Sequence, residues 1–252
     1  MRRQVLAGLL IVGLLPSSPG VKAQEEWSPG MRAAIRYSST RSGAISFAVK
    51  TPSGRLHAYR GHRVVPAASV FKVMLMVGYL RQGDVRDRKL NDSDRSLLEP
   101  MIKRSDNSAA SRIADQLGPR RIYRLARDAK MKHFRYTRPW GLSSIDATEQ
   151  ARFMFHLERY LPRRHEDYAR YLLSHIVKSQ RWGIAKVRRP DWKLYFKSGW
   201  GSGTGAVSHQ VAFLTHDGLR IAVAIMIESS PSHAYSTETL RGIATRLLRE
   251  LP

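Results

Sequence analysis

Apolar and polar positions along the chain follow two periods, and the period changes twice. Ala44 to Lys50 alternates, Thr51-Pro52-Ser53-Gly54 has turn chemistry, and Arg55 to Arg60 returns, so a β-hairpin is predicted there. Trp192 to Lys197 predicts a further strand. Val207 to Thr215 and Leu219 to Ile227, joined through Thr215-His216-Asp217-Gly218, predict a second hairpin. Between the hairpins the spacing is helical over Ser69 to Leu80, Ser93 to Arg104, Ser108 to Gln116, Pro119 to Ala129, Ser144 to Tyr160 and His165 to Ile176. Gly118 reads as a helix stop, and Ser143 with Asp146 as a capping box. A short helix is predicted over Pro29 to Tyr37. At the far end Leu240, Ile243, Ala244, Leu247, Leu248 and Leu251 form one stripe, the mark of an amphipathic helix lying on a sheet. The pattern predicts an α/β fold of the α+β kind. An antiparallel sheet, assembled from both ends of the chain and flanked by helices, carries an inserted all-α lobe. The α/β lobe covers 24–66 and 187–252, the helical lobe 67–186, within one two-lobed domain.

One position breaks the pattern. From Ser69 to Leu80 the chain reads SVFKVMLMVGYL, with Lys72 as its only charge. A lysine among Val, Phe, Met and Leu is buried only at a cost unless it is paired. Ser69 lies three residues earlier, on the same helical face. A lysine so placed takes the proton of a serine hydroxyl and makes the oxygen nucleophilic.

Composition changes the picture in three ways. Arg2 and Arg3, the apolar run from Val5 to Leu15, and small residues at Val21-Lys22-Ala23 read as an export signal over residues 1–23, of Sec or twin-arginine type. The expected location is therefore secreted or otherwise extracytoplasmic, with 229 residues left. The formal net charge is +23, and losing Arg2, Arg3 and Lys22 with the signal leaves +20. In that compartment the field suits anionic envelope polymers and not nucleic acid. The chain has no cysteine, and its nine histidines show no H-E-x-x-H spacing, so neither metal nor cofactor is expected. No G-x-S-x-G elbow is present, which argues against an α/β-hydrolase.

Two further short motifs follow. Ser105-Asp106-Asn107 joins two helical segments, and taken alone it is ordinary turn and N-cap chemistry. Lys197-Ser198-Gly199 ends a strand and enters Trp200-Gly201-Ser202-Gly203-Thr204-Gly205. A phosphate loop is excluded there, because the lysine precedes the glycines and no helix follows. Ser-x-x-Lys by itself turns up roughly once in a chain of this size. The three in this order, with Gly54-Arg55, Pro66, Met101-Ile102 and Ser108-Ala109-Ala110 flanking them, resemble class A β-lactamases and penicillin-binding proteins from Ser28 to Leu251.

That resemblance implies a serine hydrolase or acyltransferase acting on β-lactams or D-alanyl-type amides and esters. It implies Ser69 as the acylated nucleophile, Lys72 as its base, and Ser105 as proton relay to the leaving nitrogen. Asn107 would hold the substrate amide, and Lys197 and Ser198 its carboxylate. Gly199 lets substrate approach the strand, and the backbone N–H groups of Ser69 and Trp200 would form an oxyanion hole. A monomer is expected, with a small-molecule β-lactam or cell-wall peptide as partner. One departure matters. Class A enzymes carry a glutamate that activates the deacylating water, and the matching stretch, His133 to Leu142, has no carboxylate. Slow deacylation is expected, and a penicillin- or peptide-binding protein with little turnover is the alternative. Ser179 to Ile184 would either pack structurally or shape the cleft, and His209 is expected to be structural.

Overall fold

The computed structural model describes residues 27–187, 189–201 and 206–251; the expected signal segment and the middle of the glycine bend lie outside them. The element order is α1 Met31–Ser39, β1 Ala44–Lys50, β2 Leu56–Tyr59, β3 Val65–Pro66, α2 Lys72–Leu80, α3 Gly83–Arg86, α4 Asp92–Lys103 and α5 Asn107–Asp128. There follow β4 Ser144–Ile145, α6 Ala147–Phe155, α7 Glu166–Ser174, β5 Lys193–Gly201, β6 Val207–His216, β7 Leu219–Glu228 and α8 His233–Leu247. Five strands form one antiparallel sheet in the order β2-β1-β7-β6-β5. β1 is thus hydrogen-bonded to a strand more than 170 residues away, with Phe47 opposite Ile225. The α+β arrangement read from the two periods is the observed one.

The central strands are covered on both faces, which is why β6 and β7 read as nearly unbroken apolar runs. α1 and α8 pack together along one side of the molecule, and α6 packs on β1, β6 and β7. Leu240, Ile243, Ala244 and Leu247 are fully buried, as the stripe requires. Leu240, Ile243 and Leu247 each contribute roughly 1.5–3 kcal/mol of burial. Helix approach is closest at Gly242, where a Cβ atom would stand 2.3 Å from the Tyr37 ring. Gly242→Ala is therefore expected to destabilise the fold by about 1–3 kcal/mol. A shifted urea midpoint at unchanged slope would show it; an unmoved midpoint would mean that α1 simply slides away.

The helical boundaries differ from the sequence reading in three places, each for a local reason. The segments predicted on either side of Gly118 run on as α5, with only a kink there. Gly118 takes φ +60°, and Pro119 restarts the helix at once. α6 begins after Asp146, whose carboxylate accepts the Glu149 N–H, so Asp146 is the N-cap and the Ser143 capping box does not form. Ser144 and Ile145 instead pair with Pro66 and Val65 in the small β3–β4 sheet. Finally, Ser69 lies in a 3₁₀ turn, Ala68–Phe71, and α2 starts at Lys72. α2 is buried along its whole length, the centre of the helical lobe.

Candidate active site

The 3₁₀ turn delivers Ser69 to the junction of sheet and helices. Ala68 takes φ +45°, and Ser105, which faces the turn from the α4–α5 connection, takes φ +61°. Side-chain-bearing residues rarely adopt this region, so the surrounding structure holds both in place. Asp106 caps α5 by accepting the Ala109 N–H, which fixes Ser105 and Asn107 on either side of it.

Lys72 Nζ lies 3.0 Å from Ser69 Oγ, 3.1 Å from Ser105 Oγ, 2.5 Å from the Ser105 carbonyl oxygen and 2.8 Å from Asn107 Oδ1. Four oxygens exceed the three protons of an ammonium. The two carbonyl oxygens accept only, so they take two N–H bonds, and a neutral amine then has its lone pair for a hydroxyl. That is the geometry of a general base on Ser69. Burial lowers the Lys72 pKa to about 7, and the nearby Asp106 charge offsets this only in part.

Lys197, on β5 and fully buried, reaches Ser105 Oγ from the other side at 3.0 Å and donates to the Ser198 carbonyl oxygen at 3.0 Å. Burial first, and then the Lys72 charge, push its pKa well below the usual lysine value. Ser105 Oγ thus bridges two amines, the position a proton relay requires. Gly199 follows on the same face of β5. A Cβ there would stand 2.8 Å from the backbone nitrogens of Ser69 and Val70, so glycine is what lets the strand approach the turn.

Strand alternation sends Ser198 to the opposite face. Its buried hydroxyl donates to the Gln180 carbonyl oxygen at 3.3 Å and accepts from Gln210 Nε2 at 2.9 Å. Ser69, Lys72, Ser105, Asn107 and Lys197 are therefore brought together, while the Ser198 hydroxyl is not presented to the cleft. Ser179 to Ile184 supplies the partner: Gln180 also donates to the Arg104 carbonyl oxygen, and the Trp182 carbonyl oxygen accepts from Gln210. That stretch packs behind β5. His209 is structural, with Nδ1 accepting the Ile227 N–H and Nε2 3.0 Å from the Pro66 carbonyl oxygen. Burial pulls its pKa down to about 4.

Ala68, Ser69, Asn107, Ser111, Trp140 and Trp200 line a cleft of about 410 Å³. Trp200 rests on Trp182 and His233. Trp140 was not singled out in the sequence. Its ring centroid is 5.0 Å from Lys72 Nζ, it stacks on Phe71, and its Nε1 donates to Ser111 Oγ at 3.1 Å. The stretch that has no carboxylate therefore places an indole over the amine. Its only sequence signal was the tryptophan inside that carboxylate-free segment. Asp146 and Glu149, the next acids along the chain, are engaged elsewhere, with His62, His133 and backbone N–H groups.

Residues 89–251 match the model of the beta-lactamase enzyme family. Similar solved structures include an ancestral class A beta-lactamase at 18% identity and TM-score 0.76, covering 88% of this chain and 100% of that one. A beta-lactamase from Sphaerobacter thermophilus aligns at 19% identity and TM-score 0.76, over 90% of this chain and 99% of that one. One from Xanthomonas campestris pv. campestris aligns at 16% and 0.76, over 88% and 97%. At such identities the likeness is one of fold. No curated protein matches the chain in sequence.

Proposed function

The chain belongs to the beta-lactamase enzyme family, and from that premise we propose that it is an exported active-site-serine acyltransferase or hydrolase. Its substrates are β-lactams or D-alanyl-type amides and esters, and its acyl-enzyme forms at Ser69 and is released slowly. The observation that carries this reading is the Lys72 amine, fully buried, held below its usual pKa and 3.0 Å from Ser69 Oγ. Lys72 takes the Ser69 proton as Oγ attacks the carbonyl carbon. The tetrahedral oxyanion sits against backbone N–H groups where β5 meets the Ser69 turn. The proton passes through Ser105 to the departing nitrogen, the C–N bond breaks, and an ester to Ser69 remains. Asn107 commits its carbonyl oxygen to Lys72, so its NH₂ end is the part that meets a substrate carbonyl.

Release needs a water and a base, and the side chain that the carboxylate-free stretch places over the amine is the indole of Trp140. This favours a second reading, a penicillin- or cell-wall-peptide-binding protein with little turnover. Anionic envelope polymers remain part of the proposal. Arg81, Arg86, Arg121, Arg124 and Arg159 line one cavity of about 510 Å³ in the helical lobe, where such a polymer would meet concentrated positive charge.

Labelling with a fluorescent penicillin tests the proposal. The protein should take one label per chain, with a mass increase that persists for minutes or longer, and Ser69→Ala should take none. Labelling of Ser69→Ala at the parent rate would refute it. Rapid nitrocefin turnover would keep the nucleophile and refute slow release.

A further inference from the structure

A second constellation lies away from the cleft. His62 Nδ1 and His133 Nδ1 stand 3.0 and 2.7 Å from the same oxygen of Asp146, and His133 Nδ1 is 3.6 Å from Glu149 Oε1. The four residues come from three separate segments: the β2–β3 loop, the chain after α5, and the first turn of α6. Asp146 is wholly buried and Glu149 is 2% exposed. Among the described residues no lysine or arginine side chain pairs with either carboxylate; the imidazoles are their only ionisable partners. Glu149 Oε2, itself buried, has no hydrogen-bond partner at all.

Backbone N–H groups satisfy Asp146 Oδ1 and Glu149 Oε1, but two buried carboxylates with no permanent cation beside them remain costly. We propose that His62, His133 and Asp146 bind one divalent cation of the zinc type. Bonds of 2.0–2.1 Å in a tetrahedral site put ligand atoms about 3.3 Å apart; the imidazole nitrogens stand 3.0 and 2.7 Å from Asp146 Oδ2, a few tenths of an ångström inside that spacing, and all three donor atoms lie within 4.8 Å of one another. Two imidazoles and one carboxylate are three protein ligands that leave a fourth position open, the buried Glu149 carboxylate beside His133 offsets the remaining positive charge, and a donor set with two imidazoles favours zinc over magnesium or calcium. Entry is open, because His62 is largely exposed and sits with Arg60, Gly61 and Arg63 along a surface depression. Arg63 is turned away onto Glu228. The sequence held no local ligand spacing, because the donors converge only through β3–β4 pairing and the capping of α6.

The site also says what the ion would do. Val65 and Pro66 of β3 lead directly into the Ser69 turn, and Phe134, next to His133, stacks on Phe71. A cation would clamp together the segments that carry the nucleophile and the 133–142 wall. It is a positioning element and touches no reacting atom.

The test uses untagged full-length protein, stripped with chelator and titrated with Co²⁺ and then Zn²⁺. One equivalent of Co²⁺ should develop tetrahedral ligand-field absorption, which Zn²⁺ abolishes, with a dissociation constant in the micromolar range or below. His62→Ala and His133→Ala should each weaken binding at least tenfold, and they alter an exposed and a half-buried ring, so a circular dichroism spectrum like the parent's is expected. Ser69→Ala should bind Co²⁺ as the parent does, which separates this site from the acyl-transfer reading. No saturable uptake by the parent protein, or equal uptake by the folded His62→Ala, His133→Ala double variant, would overturn the proposal.

Discussion

Between pH 8 and pH 5, acylation of Ser69 by a penicillin is expected to slow roughly 100-fold, with the bend near pH 7. The sign follows from the base. Lys72 accepts a proton only when neutral, and its pKa is lowered to about 7 by burial. Above that pH nearly every molecule carries a competent base, and below it the competent fraction falls tenfold per unit. An ordinary exposed lysine would still be rising beyond pH 9. Lys72→Ala should cost about 10² to 10⁴ in the acylation rate and flatten the profile, because a positioned base contributes that much. Rates of penicillin labelling across pH 5–9, read by mass, measure both. A parent profile that is flat from pH 5 to pH 8 would remove Lys72 from the role of base.

Trp140→Glu is expected to shorten the life of the acyl-enzyme by at least about tenfold, part of the 10² to 10⁴ that a general base supplies. The indole lies 5.0 Å from Lys72 Nζ and lines the cleft beside Ser69, so a carboxylate there is within a water's reach of the ester. The same carboxylate must raise the amine's proton affinity. The bend in the acylation profile should therefore move above pH 7 in the same variant, which reports that the new charge is in place. A shifted bend with an unchanged adduct lifetime would show that slow release has another cause.

The fold was legible because its signals are local and repeated. Alternation in the first hairpin, short apolar runs bounded by turn residues in the second, and helical spacing between them specify a sheet closed across an insertion. Lys72 was legible because a lone charge in SVFKVMLMVGYL has to be explained. What the sequence hid depended on facing. Lys197-Ser198-Gly199 reads as one motif, yet alternation turns Lys197 toward Ser105 and Ser198 toward Gln180. Trp140 carries no motif, and its place above the amine follows from the path of residues 133–142 through space. The two-residue strands β3 and β4 are too short to show a period. Asp146 was read as a first-turn residue of a longer helix because their pairing was invisible.

Because β1 has β7 as its inner neighbour, the first strand made during synthesis stays without one of its two lateral partners until residues 219–228 have left the ribosome. A vectorially emerging chain can compact its helices early, but long-range closure of the sheet has to wait. Ribosome-stalled chains ending before residue 219 are thus expected to be cut by protease within residues 44–50, and chains reaching past residue 250 with a linker to resist it there.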